Sequence, residues 1–287
     1  KLARQLWQDA QSRPGDPAGA YALQTAGMRL AADSGLADTL IAGIDQRVSV
    51  FDVAPYEENV SWLLRLRKGS NERDSRSRSG HRLMNRVIRV AHAGIDQNDF
   101  SRASEVVGLA YRFSDRKSEE ELPSLLNRLR MLLSAADREF EVAIKHLDAF
   151  RKNPNDSPAA AAFGRFLCFI KGDWENGLPL LAKHGGETLR AIAQLDLDSA
   201  YSPEDQTELG DQWWDLSARA KPGVYQQAAR DRAGYWYALA YESMPDSLDR
   251  IHVKNRLNRL GESNDASPIA LCRQLADEFG VDLEADL

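Results

Sequence analysis

An all-α fold of stacked antiparallel helical hairpins is the architecture that these 287 residues predict, on three observations. Apolar residues recur at three- and four-residue spacing through most of the chain, the period of a helix with one buried face. Strand signals are scarce: no alternation of apolar and polar residues is sustained, and no Asn-Gly or Asp-Gly turn joins two β-branched runs. The apolar runs come in pairs with a short joint between them. Counted between joints, Asn98, Arg138 and Gly172 lie about 34 to 40 residues apart, the range of helical-hairpin repeats.

Each element has its own signal. Asp16-Pro17 opens the first segment with an N-cap and a proline at the first helical position, and Leu23, Ala26, Leu30 and Ala31 follow as its apolar stripe. Ser34-Gly35 breaks it, and Leu36, Leu40, Ile44 and Val48 form the stripe of a partner helix. Leu83, Val87, Ile88 and Ala91 lead to a joint at Asn98-Asp99-Phe100, after which Ala103, Val106, Val107 and Ala110 continue on another face. Leu125 to Leu133 and Phe140 to Leu147 read as the next pair, joined near Arg138. The run from Ala159 to Ile170 stops at Gly172-Asp173-Trp174. There Gly172 supplies the turn, Asp173 caps the following helix and Trp174 fills the hairpin interface. Pro179 lies some six residues past that cap, which predicts either a helix starting later, near Leu178, or a kink. Leu209, Trp213 and Leu216 precede a loop at Lys221-Pro222-Gly223. Ala229, Ala233, Trp236, Tyr237 and Ala240 follow it, and Val253, Leu257 and Leu260 mark a further helix.

Composition narrows the function classes. With 43% apolar residues the chain can bury a core, and a formal charge of −6 argues against broad attraction to nucleic acid. No apolar run approaches the roughly 20 residues that span a bilayer. The start, KLARQLWQDA, has neither Met nor a signal-like apolar region and reads as trimmed, which leans toward an extracytoplasmic home. Cys168 and Cys272 each sit in an apolar helical pattern, as buried reduced thiols do.

Residue spacing limits the chemistry the chain can carry. Histidines 81, 92, 146, 184 and 252 form no His-x-x-x-His pair and no cysteine-histidine set, so no metal and no cofactor is expected. Neither a nucleophile elbow nor a phosphate loop is present. Asp196-Leu197-Asp198 and Glu119-Glu120-Glu121 are carboxylate clusters. The second, after Ser118, is read as the negative start of a helix. The stretch 65 to 82, RLRKGSNERDSRSRSGHR, has seven basic residues but no interleaved aromatic, and is read as a solvated segment. Trp213, Trp214, Tyr235, Trp236 and Tyr237 are the main binding hint. Core packing is the expected role of this cluster. A ligand or partner surface on Trp213, Trp214, Trp236 and Tyr237 is the alternative, and a glycan platform requires at least two of those rings to face solvent.

LGDQWWDL at 209 to 216 and GDWENGLPLL at 172 to 181 resemble the first-helix and turn signatures of tetratricopeptide repeats. More narrowly, GRFLCFIKGDWENGLPLLAKH at 164 to 184, LGDQWWDLSARAK at 209 to 221 and RAGYWYALA at 232 to 240 resemble, in that order, a helical region recurring in large planctomycete multidomain proteins. The resemblance covers roughly residues 16 to 261 and is clearer in the second half. It implies a tetratricopeptide-like α-solenoid beside other modules, often exported, with no catalytic residue to carry over. The chain is then one elongated domain over 1 to 287, with sub-halves at 1 to 115 and 116 to 262 and a C-terminal helix and tail at 263 to 287. The function expected is a non-catalytic scaffold for a protein or peptide partner. A carbohydrate-binding domain, less readily a carbohydrate-cleaving one, and a structural spacer are the alternatives.

Overall fold

The computed structural model describes residues 2–12, 15–67, 78–113, 121–153, 156–198, 202–262, 267–285 and 287. Among these residues the chain is all-α, with 14 α-helices and no strand. No helix there is long and apolar enough to cross a membrane. The chain divides into two compact units, one of Lys1–Ser134 with Cys272–Leu287, the other of Ala135–Leu271.

The first unit holds α1 (Leu2–Gln11), α2 (Pro17–Asp33), α3 (Ala37–Val50), α4 (Pro55–Leu63), α5 (Arg78–Asp96) and α6 (Phe100–Phe113). Asp16 caps α2 by accepting from the Gly19 amide at 2.8 Å, and Gly35 turns the chain with φ 66°. The α5/α6 joint uses Asn98 at φ 59°, a conformation asparagine tolerates. Asp99 there accepts from the Arg102 amide, as an N-cap does.

The stripe expected on α2 is displaced. Gln24, Gly27, Met28, Ala31 and Ala32 are buried, while Ala26 and Leu30 face solvent. The cause is α1, which the periodicity did not reveal: it packs on α2 and drives Trp7 between α2 and α3. A Cβ on Gly43 would come within 2.3 Å of the Trp7 ring, so only glycine admits the indole there. On α3, Leu40 and Ile44 are core and Val48 is half-buried, while Leu36, at its N-cap, is exposed.

The expected joint near Arg138 does not exist. α7 (Glu121–Lys152) runs unbroken for 32 residues, because SAADREFE contains no glycine, proline or asparagine to stop it. The change of apolar face that suggested a turn marks the passage from one core to the other. Leu125, Leu126, Leu129, Leu132 and Leu133 are buried in the first unit, and Ala143 in the second. Glu121 opens α7, whereas Ser118, Glu119 and Glu120 lie outside the described residues, as do 68 to 77 of the basic stretch.

The second unit holds the end of α7, α8 (Ser157–Phe166), a π-helical turn (Leu167–Lys171), α9 (Trp174–His184), α10 (Glu187–Leu197), α11 (Pro203–Arg219), α12 (Val224–Ser243) and α13 (Leu248–Glu262). α14 (Pro268–Phe279) begins here and ends in the first unit. Successive helices pack on each other: α8 on α9, α9 on α10, α11 on α12 and α12 on α13.

Candidate aromatic site

The chain reaches the second unit's core through the joint at 172 to 174. Gly172 takes φ 69°, a left-handed conformation that costs a residue with a Cβ about 1–2 kcal/mol. Asp173 then caps α9 by accepting from the Asn176 amide at 3.2 Å. The helix therefore starts at Trp174 and not near Leu178, with Pro179 inside it. Proline removes the N–H that would bond the Glu175 carbonyl. Both residues are exposed, so water can take that bond. Trp174 stacks edge-on against Phe169 at 5.6 Å and Trp213 at 5.3 Å between ring centroids.

At the centre of this cluster lies Asp196, the last buried position on the Ile192, Ala193, Asp196 face of α10. Its side chain is fully enclosed. Its Oδ2 accepts the indole N–H of Trp213 at 2.7 Å and of Trp236 at 3.0 Å, and the Arg232 Nε–H at 2.9 Å. Arg232 Nη2 donates to the other oxygen, Oδ1. The guanidinium lies against the rings of Trp174, Tyr235 and Trp236, at 4.9, 4.7 and 5.3 Å from their centroids. One carboxylate thus ties α10 to α11 and α12, and through Arg232 to Trp174 of α9. A buried charge survives only with its partner and its hydrogen bonds in place, and here all are supplied from within.

Of the four rings offered as a ligand surface, Trp213, Trp236 and Tyr237 are core side chains, with Trp213 and Tyr237 wholly enclosed. The physical reason is the indole N–H: in the interior it needs an acceptor, and Asp196 provides it. Trp214 is half-buried beneath the Arg256 guanidinium, 4.4 Å from its ring. The requirement of two solvent-facing rings for a glycan platform is not met. Tyr235 is half-exposed.

A second polar cluster borders this core. Asp211 accepts from the Tyr237 hydroxyl at 2.6 Å and pairs with His252 at 3.1 Å and Arg256 at 3.6 Å, joining α11, α12 and α13. Burial and the Asp211 carboxylate push the Tyr237 phenol well above its usual range. Burial does the same to the Cys168 thiol. Cys168 and Cys272 are both free and buried. No group of three or more His, Cys, Asp or Glu among the described residues is arranged to hold a metal ion.

Read in the sequence only as one of two carboxylate clusters, Asp196 proves to be a buried acceptor within the core. The signal was present: an aspartate at i, i+4 from Ile192 sits on the apolar face of its helix and so demands a buried partner. Arg232 and Trp236, four residues apart, share a face of α12 that meets it. No family model, no curated protein and no solved structure matches this chain.

Proposed function

We propose that the chain is a non-catalytic helical-repeat module of the tetratricopeptide kind, part of a larger protein, that holds a protein or peptide partner. The observation that carries this reading is the use made of the polar chemistry in the second unit. Asp196, Arg232, Trp213 and Trp236 are consumed in tying α10 to α11 and α12, and what reaches solvent is helix surface. Hairpins that cannot bury their own apolar faces stack on their neighbours and leave such surfaces free for partners. The resemblance to the planctomycete helical region fits the same reading.

The partner surface is assigned to the α12/α13 pair, where Tyr235, Leu248 and Ile251 stay exposed, Leu248 by 83%. The test is affinity capture with the whole chain as bait, identification of the retained protein and titration of that protein in purified form. Wild type is expected to bind it, and Leu248→Gln with Ile251→Gln to lose about tenfold or more, an ordinary consequence of removing apolar interface anchors. Equal binding by the double variant, or no specific association at all, counts against the reading.

A further inference from the structure

In the first unit the polar edge of α1 borders an open cleft. Ala3 and Ala10 turn inward, Trp7 is wedged between α2 and α3, and Arg4, Gln8 and Gln11 share the adjoining edge, since residues three and four apart are neighbours on a helix. With Asp38, Thr39 and Ala42 of α3 and Arg82 of α5, these side chains wall a cleft of about 430 Å³. That is within the range of about 300–1,000 Å³ typical of small-molecule sites.

The lining is mixed, part polar and part apolar, and its charged members are Arg4, Arg82 and Asp38. Arg82 and Asp38 form an ion pair at 3.5 Å, both about two-fifths exposed. Asp38 Oδ1 is enclosed and makes no hydrogen bond, so the pair is held by charge alone. Arg4 is in no ion pair with another described residue. A guanidinium is the side chain best matched to a carboxylate or phosphate. Gln8, Gln11, Thr39 and the second oxygen of Asp38 supply donors and acceptors suited to hydroxyl groups. The edge of Trp7 supplies an apolar face for C–H bonds.

We propose that this cleft binds a sugar bearing one anionic group, a carboxylate or a phosphate, with the anion on Arg4 and the hydroxyls on Gln8, Gln11, Thr39 and Asp38. The proposal is independent of the partner surface on α12 and α13, and either can fail alone.

Calorimetric titration of the whole chain with glucuronate, glucose 6-phosphate, glucose and inorganic phosphate tests it. At least one of the two anionic sugars is expected to bind, and which one does identifies the anion. Glucose and inorganic phosphate are expected to bind at least about tenfold more weakly, the scale of one charge-assisted contact. Arg4→Ala, at an exposed position, is expected to weaken the anionic sugar by a similar factor without moving the melting midpoint. Ala42→Leu, which narrows the cleft, is expected to weaken it as well. Absence of binding by both anionic sugars, or an unchanged affinity in Arg4→Ala, overturns the proposal. Glucose binding as tightly as its anionic counterparts removes the charge requirement and overturns it too, and inorganic phosphate doing so removes the sugar.

Discussion

Replacing Asp196 by alanine takes away the acceptor that two indoles and a guanidinium share, and leaves Arg232 charged with 13% of its side chain exposed. Breaking one side of a buried pair in this way costs about 3–5 kcal/mol, to be read from urea unfolding of the whole chain. Adding Arg232→Met to Asp196→Ala is expected to recover part of that loss, because the unpaired cation goes with it. A double variant no more stable than the single one would show that the charge is not what matters. Tyrosines provide a second residue-scale expectation. Burial raises the phenols of Tyr56, Tyr225 and Tyr237 well above the usual range, assisted by the carboxylates of Asp99, Glu139 and Asp211 respectively. A raised folded value means that the folded state holds the proton more tightly. This contribution is therefore complete below the ordinary phenol value of about 10 and is lost as pH climbs beyond it. Phenolate absorbance compared with circular dichroism should show Tyr237→Phe differing from wild type only in the step where helix is lost. Burial also pushes the Cys272 thiol up to about 12, so it should resist thiol reagents near neutral pH until the chain is unfolded.

Helix starts and stops were legible where one residue dictates backbone geometry, and illegible where only neighbours do. Asp16, Gly35, Asn98, Gly172 and Asp173 all take the cap or turn roles their chemistry implies. Gly172→Ala is expected to cost about 1–2 kcal/mol from its positive φ, measured as a shift in the unfolding midpoint. The continuity of α7 is the contrasting case, since its two apolar stretches look like two helices until it is known that they serve different cores. Arg138→Pro checks it directly: inside a continuous helix it costs about 3 kcal/mol or more, whereas at a joint it is nearly neutral. The stripe on α2 was misplaced for the same kind of reason. Which face a helix buries depends on what lies against it, and Trp7 of α1 was not part of the periodic pattern.

Both units solve one problem alike. In the first, Arg47 is buried, donates to Thr25 Oγ1 at 2.7 Å, lies 4.1 Å from the Tyr21 ring centroid and pairs at 3.8 Å with Glu58, which accepts the Trp62 indole N–H at 2.8 Å. In the second, Arg232, Asp196, Trp213, Trp236 and Tyr235 repeat that chemistry with different spacing. Because each unit has its own core, effects should stay local. Hydrogen exchange of Asp196→Ala is expected to accelerate across α9 to α13 and to keep wild-type rates in α2, α3 and α4. Uniform acceleration would mean that the two cores open as one.

The sequence by itself determined that the chain is all-α, where the helices at the Asp16, Gly35, Asn98 and Gly172 junctions begin or end, and that its two cysteines lie in apolar surroundings. These follow from local rules: a 3.6-residue period, a capping carboxylate and a glycine able to take positive φ all act within a few residues. Only the tertiary structure decided that Trp213, Trp236 and Tyr237 are core, that Asp196 is their acceptor, and that Arg4 and Arg82 face one cleft from α1 and α5. Those facts depend on groups tens of residues apart in sequence meeting in space. A buried donor or charge takes whatever partner the fold brings within about 3 Å, and no periodicity along the chain records which one that will be.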